Sequence, residues 1–593
     1  MTWRAPVKDI SFALDEIVGV QRLAESGAFP GFDADTVAAV LEAGGALAEH
    51  EFAPLNRVGD ETGAQYENGR VRAAPGFAKA YRAFADGGWN ALAAPEAFGG
   101  QGLPRTLSLA VFEMMHSANM ALGLCPMLTQ GAIEALMEHG TDRQKQLYLP
   151  KLVSGEWTGT MNLTEPQAGS DLGAIKTRAE PDGHGGYRLN GQKIFITWGD
   201  HDMTDNIVHL VLARVPGAPD GSKGISMFLA SSHLVNDDGS LGTANGVAAG
   251  RIEHKLGIHG SPTCTMIYTD ALAELVGAPN NGLANMFTMM NAARLQVGIQ
   301  GVAIAERAYQ QALAFALERK QGRSAWTVEY PAPLFDHPDV RRMLMLMRAR
   351  IEAGRAICLA TAMAADLSVA AKDADQRESA NLREEFFTPI AKAWCTDTGV
   401  EVGSLAVQVH GGMGYIEETG VAQHYRDARI APIYEGTNGI QAIDLVGRKL
   451  SLDNGRAVQE LLDDVSETVA HLNDRRDDAF SVIAATLAQA RQSGEIATHW
   501  LREHRASPEA LAGATAYLAL MGDLCGGWLL AKGALAATDR LKQEPGNSWL
   551  PGRIAIAGFF SAHVLARSPF LLAGITSGAR DLASISPGAL GAA

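Results

Sequence analysis

The chain has 593 residues, too many for one hydrophobic core, and its 47% hydrophobic and 20% charged content is ordinary for a folded enzyme of roughly three to five domains. A formal net charge of −16 argues against non-specific nucleic-acid binding, because phosphates would be repelled, though it leaves room for a local basic patch toward an anionic cofactor. Five scattered cysteines, Cys125, Cys264, Cys358, Cys395 and Cys525, lack metal-ligand spacing, so free core thiols and no metal site are expected.

Residues 1–35 read as an N-terminal extension. Ile10, Phe12, Leu14, Ile17 and Val18 line one face of an amphipathic arm expected to pack on the body. The opening residues show no charged n-region followed by an apolar h-region, and no apolar run of transmembrane length is read. A cytoplasmic protein without membrane contact is the expectation.

Residues 36–158 read as helical. Val37, Val40 and Leu41, then Leu107, Leu109, Val111, Phe112 and Met115, recur at helical spacing on either side of the Gly-rich loop Gly88–Gly102. Gly140 followed by Thr141-Asp-Arg-Gln144 predicts a helix end and a capped new start. The period changes over residues 159–278, which read as a small β-domain. Tyr187–Trp198 reads as two strands joined by an Asn190-Gly191 turn, with further strands over residues 206–214, 224–230 and 263–271. Lys223, Lys255 and His259 read as solvated loop residues.

Residues 279–453 return to helices at Arg294–Arg319, Val340–Asp366 and Phe386–Val409, which suggests a four-helix bundle with a surface loop at 321–333. Residues 454–593 read as an additional helical domain, with Val458, Leu461, Leu462 and Val465 at helical spacing, a structural or oligomer-forming role, and a small-residue tail from Ser586 that frays.

One carboxylate stands out. Glu435 lies between Ile433-Tyr434 and Gly436, and Arg429 is six residues upstream across Pro432. Desolvation by apolar neighbours would raise its pKa and make it a usable base near neutral pH. Helical spacing resumes at Ile440, Ile443, Leu445 and Val446, which puts Glu435 just ahead of a helix start with Thr437 or Asn438 as cap. A capping acid on an ordinary loop is the alternative.

The segment Ile433-Tyr-Glu-Gly-Thr-Asn-Gly-Ile440 resembles the C-terminal signature of the acyl-CoA dehydrogenase family. The likeness spans roughly residues 36–450, and the two ends match a longer bacterial branch. It implies an α+β, acyl-CoA dehydrogenase-like fold: an N-terminal helical domain, a central small β-domain, a C-terminal four-helix bundle and an extra C-terminal helical domain. It also implies FAD as cofactor and an acyl-CoA as substrate. Electron-transfer flavoprotein is the implied acceptor, and the chain is expected to form a homodimer or tetramer.

By the same resemblance, Glu435 removes the α-proton of the thioester, and its backbone N–H with Gly436 meets the substrate. Met161-Asn-Leu-Thr-Glu-Pro-Gln-Ala-Gly-Ser170 is similar to the segment beside the flavin, which assigns Met161, Leu163 and Thr164 to FAD and Ser170 to the acyl-CoA. Lys193–Gly199 is similar to the strand against the ring, assigning Phe195, Ile196 and Thr197. Phe195 stands where Trp is more frequent and keeps the stacking role. Trp198 replaces the usual Asn and reads equally as a core aromatic. Gln408-Val-His-Gly-Gly-Met-Gly414 resembles the turn that holds FAD across a subunit boundary, assigning Gln408, Gly411 and Gly412. Arg319 is placed at the FAD pyrophosphate, although the Phe of that family element is missing here. Thr437 and the Asn438 backbone would reach FAD, and Asn291 and Arg294 match a substrate-binding turn and helix start, with a structural ion pair open for Arg294. The implied substrate is 3-(methylsulfanyl)propanoyl-CoA of dimethylsulfoniopropionate breakdown, or alternatively a medium- or long-chain fatty acyl-CoA. An acyl-CoA oxidase and a DNA-binding alkylation-response relative are the remaining readings.

Overall fold

A computed structural model describes residues 3–475, 477–505, 507–578, 582 and 584–591. Met1 and Thr2 of the opening stretch and Ala592–Ala593 of the tail lie outside the described residues. The chain forms two compact units.

The first unit comprises residues 3–5 and 39–296. Its helical part is built on α1 (Arg105–Ala118), α2 (Met120–His139) and α3 (Asp142–Val153). Thr106–Ala118 is buried throughout, so this helix is a core element rather than a surface one. The start predicted at Thr141 is a full capping box: Gln144 N–H donates to Thr141 Oγ1 at 3.2 Å, and Thr141 N–H donates to Gln144 Oε1 at 3.0 Å. Gly140 ends α2 in an extended conformation (φ −70, ψ 149) rather than a left-handed one. One β-hairpin interrupts the stretch read as wholly helical: β1 (Gln65–Glu67) and β2 (Arg70–Arg72) pair antiparallel around Asn68-Gly69. Both turn residues have positive φ, 52 and 78, which only an Asn-Gly type of pair adopts readily in a two-residue hairpin. Val71 then joins the core of the main sheet.

That sheet has seven strands. β3 (Thr158–Asn162), β4 (Arg178–Pro181), β5 (Tyr187–Thr197), β6 (Ile207–Ala213) and β7 (Ser226–Ser231) are joined by β10 (Val247–Ile252) and β11 (Thr263–Val276). The order is β3-β6-β7-β11-β5-β4, with β10 also on β11; β3 and β6 run parallel and the other pairs antiparallel. Between β7 and β10, β8 (His233–Val235) and β9 (Leu241–Ala244) form a separate ribbon. Leu189, Val211, Phe228 and Met266 fill the core of the sheet. β5 corrects the sequence reading: it is one unbroken strand, and Asn190-Gly191 is no turn. Gly191 sits where the β5–β11 register shifts, at φ 154, and a Cβ there would fall 2.6 Å from Thr177 Oγ1. Glycine therefore serves a strand irregularity at a close backbone approach.

The helix α4 (Gly282–Glu318) begins in this unit and from Val297 belongs to the second, which comprises residues 6–38 and 297–593 up to the tail. There it is followed by α5 (Pro338–Ala370), α6 (Ala374–His410), α7 (Val421–Ala428) and α8 (Asn438–Gly447). The added C-terminal region supplies α9 (Arg456–Asp474), α10 (Asp478–Glu503), α11 (Pro508–Gln543), α12 (Leu550–His563) and α13 (Ser568–Ser577). A buried polar contact fastens it to the bundle: Asp523 on α11 accepts from Trp394 Nε1 of α6 at 3.0 Å, and within the added region Asp523 also pairs with Arg567 at 2.7 Å. The N-terminal arm packs as expected: Ile10, Phe12, Leu14, Ile17 and Val18 are all buried, and Asp9 pairs with Arg348 and Arg553. The five cysteines are free and buried.

Met120–His139, Pro338–Ala370, Pro508–Gln543 and Leu550–Ser577 have the length and apolar content to cross a membrane, which corrects the reading that no such run exists. The most apolar windows of the first three are 78–83% buried inside the protein, and that of the fourth 44%. A helix in the middle of a large helical core is as apolar as one in a bilayer.

Candidate active site

In the second unit, Glu435 lies on the turn between α7 and α8, half-buried beside the exposed Ile433. Thr437 is the cap of α8, its hydroxyl oxygen accepting from Ile440 N–H at 3.2 Å. Glu435 has φ 56 and Gly436 φ 82. A glutamate in the left-handed region is strained, and such strain persists only where neighbours over-determine it. Those neighbours are present. Gln441, buried, donates from Nε2 to the Glu435 carbonyl at 3.3 Å and the Gly436 carbonyl at 3.4 Å. The Tyr434 hydroxyl donates to the fully buried Gln300. Burial, and then the charge of Glu435, push the Tyr434 phenol far above its ordinary range, so it is a permanent donor at neutral pH.

Asn438 fastens the turn from below. Its Oδ1 accepts from the buried Lys392 Nζ at 2.9 Å, and its Nδ2 donates to Asp397 at 2.8 Å and to the Ala393 carbonyl at 3.1 Å, all on α6. Its backbone N–H, expected at FAD, donates instead to the Pro432 carbonyl at 3.0 Å. Asn438 is thus a fastener of the Glu435 turn.

Arg319, Gln408, Gly411 and Gly412 share one exposed corner of the same unit. Phe315, one turn before Arg319, stacks on His410 at 4.3 Å between centroids, which brings the ends of α4 and α6 together. A Cβ at Gly412 would meet nothing within 4 Å, so internal packing does not account for glycine there. A ligand passing close to the backbone would account for it.

In the first unit, Met161 is half-buried on β3, Leu163 is buried and Thr164 is half-buried just beyond it. This segment is stitched to β5. Ile194 N–H donates to the Thr164 carbonyl at 2.9 Å, and Lys193 Nζ donates to the Leu163 carbonyl at 2.9 Å. Lys193 also pairs with Glu165 at 2.8 Å, both side chains out of solvent. Glu165 further accepts from the Lys176 and Thr177 N–H groups and the Thr177 hydroxyl. Burial works against the Glu165 carboxylate, but Lys193 and these donors outweigh it and hold it down to about 2. Burial draws Lys193 down to about 8 against the pull of Glu165, so the pair is ionic at neutral pH.

Next along β5, Phe195 has φ 60 and is 60% exposed. Ile196 is buried and Thr197 half-buried. Trp198, also at positive φ, is fully buried with Nε1 on the Ala121 carbonyl at 3.1 Å, which settles it as a core aromatic. The Thr164 and Thr197 hydroxyls have no hydrogen-bond partner among the described residues. An exposed ring and two open hydroxyls near it suit a flat, heteroatom-rich ligand. Ser170 is exposed on the turn before Asp171, apart from these contacts. On α4, Asn291 is exposed and accepts from the buried Arg294 at 3.2 Å, whose guanidinium also faces the Phe287 ring at 5.7 Å.

Sequence reasoning gave no role to Lys193, Glu165, Gln300, Gln441 or Lys392. A signal existed for Lys193, which shares strand parity with the core residue Leu189.

Comparison with known proteins agrees with this layout. The N-terminal, middle and C-terminal domain models of acyl-CoA dehydrogenases match residues 37–156, 160–271 and 280–450, and an acetyl-CoA dehydrogenase C-terminal-like model matches 461–586. The chain is 46% identical over 568 residues to 3-methylmercaptopropionyl-CoA dehydrogenase of Ruegeria pomeroyi, covering 95% of this chain and 96% of that one. It is 33% identical to the broad-specificity linear acyl-CoA dehydrogenase FadE5 of Mycobacterium tuberculosis, with 95% of each covered. In fold it is similar to the crystal structure of an acyl-CoA dehydrogenase complexed with FAD from Bacillus anthracis, at TM-score 0.74 and 21% identity, covering 97% of this chain and 92% of that one. With four domain matches in order and relatives aligned nearly end to end, the chain belongs to the acyl-CoA dehydrogenase family, oxidoreductases that act on the CH–CH group of acyl-CoA.

Proposed function

We propose that this chain dehydrogenates 3-(methylsulfanyl)propanoyl-CoA to 3-(methylsulfanyl)acryloyl-CoA in dimethylsulfoniopropionate breakdown, with Glu435 as the base. The observation that carries the substrate is the 46% identity, over 95% of the chain, to the Ruegeria pomeroyi dehydrogenase named for that thioester. The observation that carries the base is the strained, well-supported Glu435 turn.

An α-proton of a thioester is weakly acidic, so its removal needs a carboxylate in a fixed place and donors to the carbonyl oxygen as charge builds there. Gln441 and Asn438 hold the turn, Glu435 takes the proton, and the Glu435 N–H is the protein donor to the thioester oxygen. Gly436 leaves the backbone open for the substrate's approach, with Ser170, Asn291 and Arg294 as further substrate contacts. Arg294 is steadied for that task by Asn291 and Phe287. FAD, when bound, supplies the acceptor for the β-hydrogen. Phe195, Thr164 and Thr197, with Met161, Leu163 and Ile196 behind them, suit its ring, and Arg319, Gln408, Gly411, Gly412 and the Thr437 hydroxyl suit its nucleotide half. The exposure of the Arg319–Gly412 corner supports a homodimer or tetramer in which that corner is covered. Electron-transfer flavoprotein as acceptor and a cytoplasmic location complete the reading.

An anaerobic titration of the FAD-loaded protein tests it. The methylsulfanyl thioester should bleach the flavin stoichiometrically and give the highest kcat/KM in a series from butyryl- to palmitoyl-CoA. A clear preference for a straight-chain thioester would replace this substrate with the second reading, a medium- or long-chain acyl-CoA. The 33% identity to a broad-specificity linear acyl-CoA dehydrogenase favours that reading. Peroxide release during turnover would identify an oxidase instead.

A further inference from the structure

The second unit holds a cavity of about 410 Å³ between the N-terminal arm, α5, α6, α9 and α11. Its floor is apolar, with Met363, Leu367, Phe387 and Leu529. Its other wall is charged, with Arg22, Arg383, Arg456 and Lys532 set among Asp375, Glu460 and Asp464. Lys532 feels the attraction of Asp464 and Glu467 as well as the repulsion of Arg383 and of the exposed Arg22. Asp464 pairs directly with Arg383 at 2.7 Å. Glu460 and Asp375, also on the lining, are taken by Arg456 at 2.7 and 2.9 Å. The Arg22 and Lys532 side chains have no hydrogen bond or ion pair among the described residues. The Lys532 ammonium instead rests over the Trp528 ring at 5.3 Å. Burial, the largest influence on it, draws its pKa below the ordinary lysine value. Lys532 is thus a half-buried cation held by no hydrogen bond among the described residues, and an anion seated beside it would offset the cost of its burial.

We propose that this cavity binds an amphiphilic organic anion, a carboxylate seated among Lys532, Arg22 and Arg383 with its aliphatic chain on the apolar floor. The volume suits a ligand of that kind. Arg22 precedes the matched N-terminal domain, and Asp464, Trp528 and Lys532 follow the matched C-terminal domain, so the site forms where the flanking segments close over Met363, Leu367, Arg383 and Phe387 of that domain. None of its lining residues lies on the Glu435 turn or on β5.

Isothermal titration of the FAD-loaded, full-length protein with sodium octanoate tests this, with octylamine and sodium phosphate as parallel probes. Octanoate should bind saturably at one site per chain, and octylamine and phosphate at least about tenfold more weakly, because each lacks one half of the recognition. Lys532→Met should weaken octanoate about tenfold or more, Lys532→Arg should keep it within about threefold, and Leu367→Trp should block it by filling the floor. Turnover of Lys532→Met should match wild type, which shows that the variant is folded and that the active site is not the one titrated. Absence of saturable octanoate binding, octanoate affinity unchanged in Lys532→Met, or phosphate or octylamine binding as tightly as octanoate would each overturn the proposal.

Discussion

Lys193 Nζ lies 2.8 Å from Glu165 Oε1, with both side chains buried, and the same ammonium holds the Leu163 carbonyl. This pair fixes the segment proposed to meet the flavin ring. Lys193→Met leaves a buried carboxylate without its cation, which costs about 3–5 kcal/mol. Urea unfolding of the apoprotein should show that loss, and flavin fluorescence should show weakened FAD retention. Replacing both partners, Lys193→Met with Glu165→Leu, should recover most of the stability but not the FAD affinity.

The same pair sets an acid limit. Glu165 is held at about 2, against an ordinary 4.5, so its contribution is complete above pH 4.5 and is lost as pH falls through 2. The stability difference between wild type and Glu165→Gln should therefore be constant from pH 7 to about 5 and shrink steadily below. Urea midpoints at each pH measure it. A difference that grows on acidification contradicts the assignment.

Gln441 acts through the turn rather than on the substrate. Gln441→Leu removes both hydrogen bonds to the Glu435 and Gly436 carbonyls while keeping the side chain's bulk. A misplacement of the order of 1 Å costs roughly 10²-fold in rate. We expect kcat to fall by about that factor with KM little changed and FAD still bound, in steady-state kinetics.

Glu306 is the centre of a buried charge network, 3.1 Å from Arg348 and 3.0 Å from Arg355; Arg348 in turn meets Glu352 and Asp9. Glu306→Leu removes the carboxylate that two buried guanidinium groups share, leaving Arg348 with Glu352 and Asp9, and should cost about 3–5 kcal/mol, a large part of a typical folding free energy. Denaturant unfolding measures it. Asp9→Asn should loosen the N-terminal arm at lower cost, because Asp9 is nearer the surface.

What was legible in the sequence follows from how local each signal is. The capping box at Thr141 and the cap at Thr437 depend on residues three apart, and both were readable. The hairpin at Asn68-Gly69 was just as local, with Tyr66 and Val71 flanking it, but it lay inside a region whose dominant period was helical. At Asn190-Gly191 the same dipeptide misled. There Gly191 relieves a close approach by Thr177, which only the sheet register brings near. Glu435 is legible through its motif, whereas two of the groups that hold its turn, Lys392 and Gln300, lie far away in the chain. Long-range polar partners of this kind leave no periodic trace.

The account rests on Glu435 as the base, and rapid anaerobic mixing of FAD-loaded Glu435→Gln with 3-(methylsulfanyl)propanoyl-CoA tests that most directly. The amide fits the same strained turn but cannot accept the α-proton. The account predicts a variant that stays yellow, with flavin reduction slowed by a factor of about 10²–10⁴ or more relative to wild type. Bleaching at the wild-type rate would contradict it.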